Sequence, residues 1–352
     1  MTPAPDSDQS PVNRARFDQQ SADQQQNSDS GPFRKSIFHD SGFRWWHEVA
    51  VFVLLVLVLM VAQELVPGFL NPRSQLLLSR HVWEMALISL GMMLIIITAG
   101  IDLSVGSTMG LCAVAFGVSF EMTSSILLSC LFCVLTGFGC GALNGALISR
   151  WRLHPLIVTL ATYAAYRGIA EGWSQGHSWS GFGASFSQLS RGRLLGIPYP
   201  GLTFFALTVI AAIVLWKTPA GKHLSAMGYN EKAARFSGIR VDLNRFLLFC
   251  ISGTLSGLAA VFYVARFDTA KADAGEGFEL DAITAVVAGG TSIFGGRGNV
   301  IGTILGLLLI HETRQFVGRY WGIEELKSIF VGGLLISFVL IYQFLRPSGQ
   351  RV

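Results

Sequence analysis

The chain has 352 residues, of which 51% are hydrophobic and only 14% charged, with a net charge of +4. A soluble domain of this size carries about a quarter charged residues and exposes less apolar surface than this composition demands. A water-soluble multidomain protein is excluded, a nucleic-acid partner has no basis in the charge, and an all-α polytopic membrane protein of about ten transmembrane helices is expected.

Residues 1–44 are rich in Gln, Ser, Asp, Asn and Pro, too polar to offset the entropy of ordering, and are expected to form a disordered tail. The first apolar run starts near Val49, far from the N-terminus, so it reads as an uncleaved span with Trp45 and Trp46 at the interface. Further spans are expected at 85–99, 107–120, 126–148, 155–170, 201–216, 245–264, 282–294, 300–310 and 326–344. The segments 282–294 and 300–310 are short, and re-entrant or broken helices are expected there. A polar, aromatic loop covers 172–198. The membrane-spanning body is expected over 45–346, with a hydrophilic loop at 217–244 and a short tail at 347–352.

Orientation follows from the basic residues of short loops. Lys217, Lys222, Lys232, Arg235, Arg240 and Arg245 crowd 217–245, whereas 267–281 holds Asp268, Asp273, Glu276, Glu279 and Asp281 against Lys271. Six spans separate the tail from the basic loop and four more follow it, so both termini are expected in the cytoplasm.

Little in the chain resembles a catalytic centre. The pattern GxxxxGK[ST] is absent, and the glycine cluster at 295–302 lacks the lysine of a phosphate loop. No HExxH or GxSxG occurs, and no metal or cofactor set is expected. Cys130 and Cys133 form a CxxC, but their apolar flanks read as membrane helix and favour small buried hydrophobes.

Three stretches carry the functional interest. Glu231 to Phe236 is expected to form a short helix capped by Gly238, and the small Ala233 and Ala234 would let another protein approach closely. A docking helix and an ordinary solvated loop helix fit these residues equally. In 100–106, Asp102 interrupts two apolar runs beside Ser104 and Gly106; an ionisable group at membrane depth marks function, while an N-cap at a membrane edge is the structural alternative. Arg167 and Glu171 are expected to form a helix-surface pair.

The motifs at 100–107, 159–168, 228–239 and 287–298, in this order, resemble those of permeases of ABC sugar importers, in the branch of ribose, rhamnose and autoinducer-2 uptake. The resemblance covers about 49–345. It implies a bacterial inner-membrane subunit without its own ATPase. It also implies a cytosolic ABC ATPase subunit, a periplasmic or lipid-anchored sugar-binding protein and a second permease chain, identical or related. In that family the loop after the sixth span carries the coupling helix, which matches Glu231, Ala233, Ala234, Arg235 and Gly238 here and favours docking. Asn144, Thr159, Thr162, Tyr163 and Tyr166 are polar residues within spans and are candidates for a sugar path; Asn144 serves equally as an interhelical hydrogen-bonding group. An autoinducer-2 permease is the near alternative. An ion-coupled carrier is the distant one, because it needs intramembrane acids facing a cavity, and a membrane enzyme lacks a nucleophile.

Overall fold

The computed structural model describes residues 46–194 and 196–344, so the polar tail over 1–44 and the end at 347–352 lie outside the described residues. The chain is a bundle of helices with two minimal two-stranded ribbons. Six helices among the described residues are long and apolar enough to cross a membrane. These are α1 (Trp46–Leu65), α4 (Val105–Thr123), α5 (Ile126–Arg150), α8 (Tyr199–Lys217), α11 (Val241–Phe267) and α13 (Val300–Trp321). The remaining elements are α2 (Pro72–Leu78), α3 (Trp83–Ile97), α6 (Pro155–Ser174), α7 (Ala184–Arg191), α9 (Pro219–Tyr229), α10 (Glu231–Phe236), α12 (Phe278–Ala288) and α14 (Glu324–Phe344). Each of the ten expected segments contains a helix.

The centre of the bundle is α11, packed against α3, α4 and α5. Lipid tails are as apolar as leucine, so close helix contact must come from packing, which small residues permit. Gly137, Gly141 and Gly145 recur every four residues along α5 and meet α11 running the opposite way. A Cβ on Gly253 would strike the Gly137 carbonyl, one on Gly141 the Phe249 carbonyl, and one on Gly145 would lie 2.9 Å from the Phe246 carbonyl. A second small-residue crossing joins α12 and α13, where Gly289 faces Gly302 and Gly306 faces the Ala285 carbonyl.

Three expectations need correction. Segment 300–310 is not a short or broken helix: α13 has 22 residues and carries His311, Glu312, Thr313 and Arg314 onward to Trp321. Those polar residues end the apolar run but not the helix, because His311 and Thr313 are buried and Arg314 pairs with Asp281 of α12. The shortness of the preceding segment does hold, since α12 has 11 residues and ends before the glycine-rich turn. The loop over 172–198 is more ordered than its polarity implied. It contains α7, whose Phe186 stacks on Phe116 at 5.1 Å, and the short strand Trp179–Ser180, which pairs antiparallel with Thr269–Ala270.

The third correction concerns Arg167 and Glu171, which form no ion pair. Arg167 instead turns inward and donates to the carbonyl of Ala272. That carbonyl belongs to the acidic segment after α11, which folds back into the bundle. Gly106 sits so close to the Gly275 carbonyl and the Glu279 carboxylate that neither leaves room for a side chain.

Candidate functional site

Two polar constellations stand out: a charge-clamped loop at one end of the bundle and a buried network in its middle.

The loop begins where α8 ends at Lys217. Thr218 and Pro219 start α9, and Asn230 separates it from α10. Asn230 caps α10 by accepting from the Ala233 amide at 3.0 Å. At the other end Gly238 takes φ +82°, the Ile239 amide donates to the Ala234 carbonyl at 3.1 Å, and the Gly238 amide donates to Arg235 at 3.0 Å. This is the paired-bond glycine cap that a left-handed residue permits. The expected helix and its expected cap are both present.

A helix of six residues has little stability of its own, and charge holds this one in place. Arg235 Nη1 donates to Asp242 Oδ2 at 2.7 Å and Nη2 to Asp242 Oδ1 at 2.5 Å, a fork onto the first turn of α11. Its Nη2 also reaches Glu231 Oε1 at 2.9 Å, and Arg245 Nη2 reaches Glu231 Oε2 at 2.8 Å. Burial acts to raise the Glu231 carboxyl, but the hydrogen bonds from Arg245 and Arg235 outweigh it and hold it below its ordinary value. Ala234 faces the chain and is buried, whereas Lys232, Ala233 and Phe236 face outward. Phe236 is 93% exposed, an apolar ring left uncovered by its own chain.

The second constellation is centred on Asp102. Asp102 Oδ1 accepts from the Ser104 amide at 3.0 Å and from Ser104 Oγ at 2.6 Å, and Oδ2 accepts from Ser252 Oγ at 3.1 Å. Asn144 Nδ2 donates to Ser104 Oγ at 2.8 Å, and Tyr166 OH reaches Asn144 Oδ1 at 3.1 Å and the Cys140 carbonyl at 3.0 Å. Thr159 Oγ1 donates to the Ile101 carbonyl at 3.2 Å. Four of the residues singled out in the sequence (Asp102, Ser104, Asn144 and Tyr166) thus form one buried hydrogen-bonded network, and Thr159 bonds the backbone beside it. Thr162 lies on the same helix but bonds its own backbone, and Tyr163 is half-buried outside the network.

The position of Asp102 departs from the sequence reading. It does not occupy the N-cap position of α4; that residue is Ser104. Nor does it lie at the edge of the bundle. Its partner Ser252 is near the middle of α11, opposite Gly91 of α3. After Ile97 the chain therefore turns back toward the middle before α4 starts. Hydropathy could not reveal this, because a turn that folds inward has the same composition as one that faces water. Sequence reasoning also missed Ser252, which carries no signal of its own within an apolar helix, and it did not pair Arg245 with Glu231 or Asp242 with Arg235.

Residues 79–339 match the family model described as branched-chain amino acid transport system / permease component. The chain is 37% identical to the ribose import permease protein RbsC of Bacillus subtilis (strain 168), over 82% of this chain and 90% of that protein. It is 32% identical to the autoinducer 2 import system permease protein LsrD of Escherichia coli (strain K12), over 84% of this chain and 92% of that protein. No solved structure matches. With the family pattern running from the turn before α3 into α14, the chain belongs to this permease family and is a multi-pass membrane permease.

Proposed function

We propose that the chain is the transmembrane subunit of an ATP-driven importer for a sugar or sugar-like solute in the bacterial cytoplasmic membrane. Ribose is the first candidate, and autoinducer-2 the second because LsrD aligns over nearly its full length. Rhamnose is kept as a further candidate. In this reading the chain crosses the membrane ten times with both termini in the cytoplasm, an orientation that the basic 217–245 loop supports. It pairs with a second permease chain, receives solute from an external binding protein, and leaves ATP hydrolysis to a cytosolic ABC ATPase subunit.

The observation that carries this reading is α10. It is a short helix held to the start of α11 by Arg235, Asp242, Glu231 and Arg245, with Ala233 and Phe236 turned outward. A clamp of this kind transfers force, because the docking helix cannot shift without α11. Glu231, Arg235 and Gly238 set its geometry, Ala234 seats it on the permease, and Ala233 and Phe236 meet the ATPase. The solute path runs along α6, where Tyr163 is the half-exposed aromatic. Asn144, Thr159, Thr162 and Tyr166 stand behind it, and Asp102, Ser104 and Gly106 shape the inward turn that supports them.

The test is reconstitution of the permease with its ATPase and binding protein in liposomes, measuring ribose and autoinducer-2 uptake with ATP enclosed. Uptake is expected only with all components present. Ala233→Arg and Phe236→Asp are expected to abolish uptake and ATPase assembly while leaving the thermal stability of the purified permease unchanged. Wild-type uptake by both variants, or uptake by the permease alone under an ion gradient, would overturn the reading.

A further inference from the structure

The residues just before α10 meet the membrane core at a single point. Gly228, near the end of α9, packs against the last carbonyl of α3 and the turn that precedes α13. A Cβ on Gly228 would strike both the Ile97 carbonyl oxygen and the Gly296 amide nitrogen. Those two atoms are hydrogen-bonded to each other at 2.8 Å, so the missing side chain lies across that bond. Gly295 closes the third side, 2.8 Å from Ala99 and 2.9 Å from Gly228 by the position its Cβ would take. Gly295 and Gly296 have φ of +83° and +81°, a double left-handed turn that aims the Gly296 amide at α3. Beside it, Arg297 Nε donates to Tyr229 OH at 2.7 Å.

Resting on the reading of α10 as the ATPase docking helix, we propose that the Gly228–Ile97–Gly296 clasp is the joint through which α10 moves the Asp102 turn. The covalent route is short in both directions. Asn230 alone separates Tyr229 from α10, and Ile97 leads through Thr98 to Gly100 into Asp102. Asp102 and Ser104 then hold α11 through Ser252 and α5 and α6 through Asn144 and Tyr166. Backbone contact without side chains leaves no soft atoms to absorb a displacement. A shift of α9 and α10 therefore reaches the middle of the bundle through α3, in addition to the direct hold of Arg235 on α11. Gly228, Tyr229 and Arg297 are positioning residues in this scheme; none touches solute or nucleotide.

The experiment uses the complete reconstituted importer with ribose as the probe, and reads ATP hydrolysis and uptake together. Gly228→Ala is expected to cut uptake about tenfold or more while ATP hydrolysis stimulated by loaded binding protein stays within about twofold of wild type. Tyr229→Phe, which removes only the bond to Arg297, is expected to lower the ratio of solute moved to ATP consumed by a smaller factor. A purely structural role would lower uptake and hydrolysis in parallel, and that result overturns the proposal, as does wild-type coupling in both variants. Should Gly228→Ala fail to assemble, Tyr229→Phe decides alone: a lowered ratio supports the joint and an unchanged ratio overturns it. Phe236→Asp separates this inference from the one beneath it. Loss of assembly in Phe236→Asp with normal coupling in the clasp variants removes only the joint; normal assembly and uptake in Phe236→Asp removes the docking helix itself.

Discussion

Ser252 Oγ donates to Asp102 Oδ2 at 3.1 Å, and this bond ties the turn between α3 and α4 to the middle of α11. Asp102 is 2% exposed and its three hydrogen bonds come from Ser104 and Ser252. A carboxylate in such a place costs free energy unless its oxygens are satisfied. The network is therefore expected to behave as a unit.

Asp102→Ala removes the acceptor for the Ser104 amide and for two hydroxyls. Each orphaned buried donor costs about 1–3 kcal/mol. The variant is expected to unfold at clearly lower temperature in detergent, followed by tryptophan fluorescence. Asp102→Asn keeps one carbonyl oxygen in place and is expected to lie between wild type and alanine. Equal thermal stability of all three would show that the turn is held by backbone packing alone.

The crossing of α5 and α11 gives a sharper contrast. Gly141 and Gly139 are two residues apart on the same helix. A Cβ at Gly141 meets the Phe249 carbonyl, whereas one at Gly139 meets nothing within 4 Å. Gly141→Leu must push α5 away from α11 and is expected to cost about 1–3 kcal/mol or more. Gly139→Leu adds apolar surface on an exposed face and is expected to leave thermal stability unchanged. A destabilised Gly139→Leu would mean that a second copy of the chain, or another partner, covers that face.

Local signals were legible in the sequence, and long-range ones were not. The helix Glu231–Phe236 could be read because its signals are local, with Gly238 after it and basic residues around it. The long apolar helices could be read for the same reason, since length and apolarity act within one segment. The position of Asp102 could not be read, because it depends on Ser252, a residue 150 positions away. The length of α13 was hidden by His311–Arg314, of which Glu312 meets Gln75 and Arg314 meets Asp281 on other helices. Asn144 and Tyr166 were found by polarity within spans, yet their link to Asp102 needed the fold.

Asp281 and Arg314 bind α12 to α13 by a direct ion pair. Asp281 is 3% exposed, so the pair cannot be broken at one end without leaving a buried charge. Arg314→Leu is expected to cost about 3–5 kcal/mol, much of it the uncompensated carboxylate. The double variant Asp281→Asn with Arg314→Gln removes both charges and keeps hydrogen-bonding groups. It is expected to be more stable than Arg314→Leu, and thermal unfolding of the three proteins in detergent measures the difference. A double variant no better than the single one would show that the charges themselves are needed.

The loop around α10 is expected to depend on pH through Glu231. Its carboxyl ordinarily titrates near 4.5 and is held lower in the folded loop by Arg245 and Arg235, against the opposing effect of burial. The sign follows from that direction. The stabilisation is fully present above 4.5, and is lost as pH falls below it through the folded value. Asp242 shares Arg235 with Glu231, so the acid transition belongs to both carboxylates of the clamp. Amide exchange over 228–240, corrected for the intrinsic pH dependence, is expected to stay constant from neutral pH to about 5 and to rise only below 4.5. Glu231→Gln removes the negative charge at every pH. Its loop is expected to exchange faster at neutral pH and to keep only the part of the acid transition that belongs to Asp242. Because the Glu231 side chain is 40% exposed, the effect is local opening of α10 and not unfolding of the bundle. Loss of protection already above pH 6 would assign the transition to another group and detach Glu231 from the clamp.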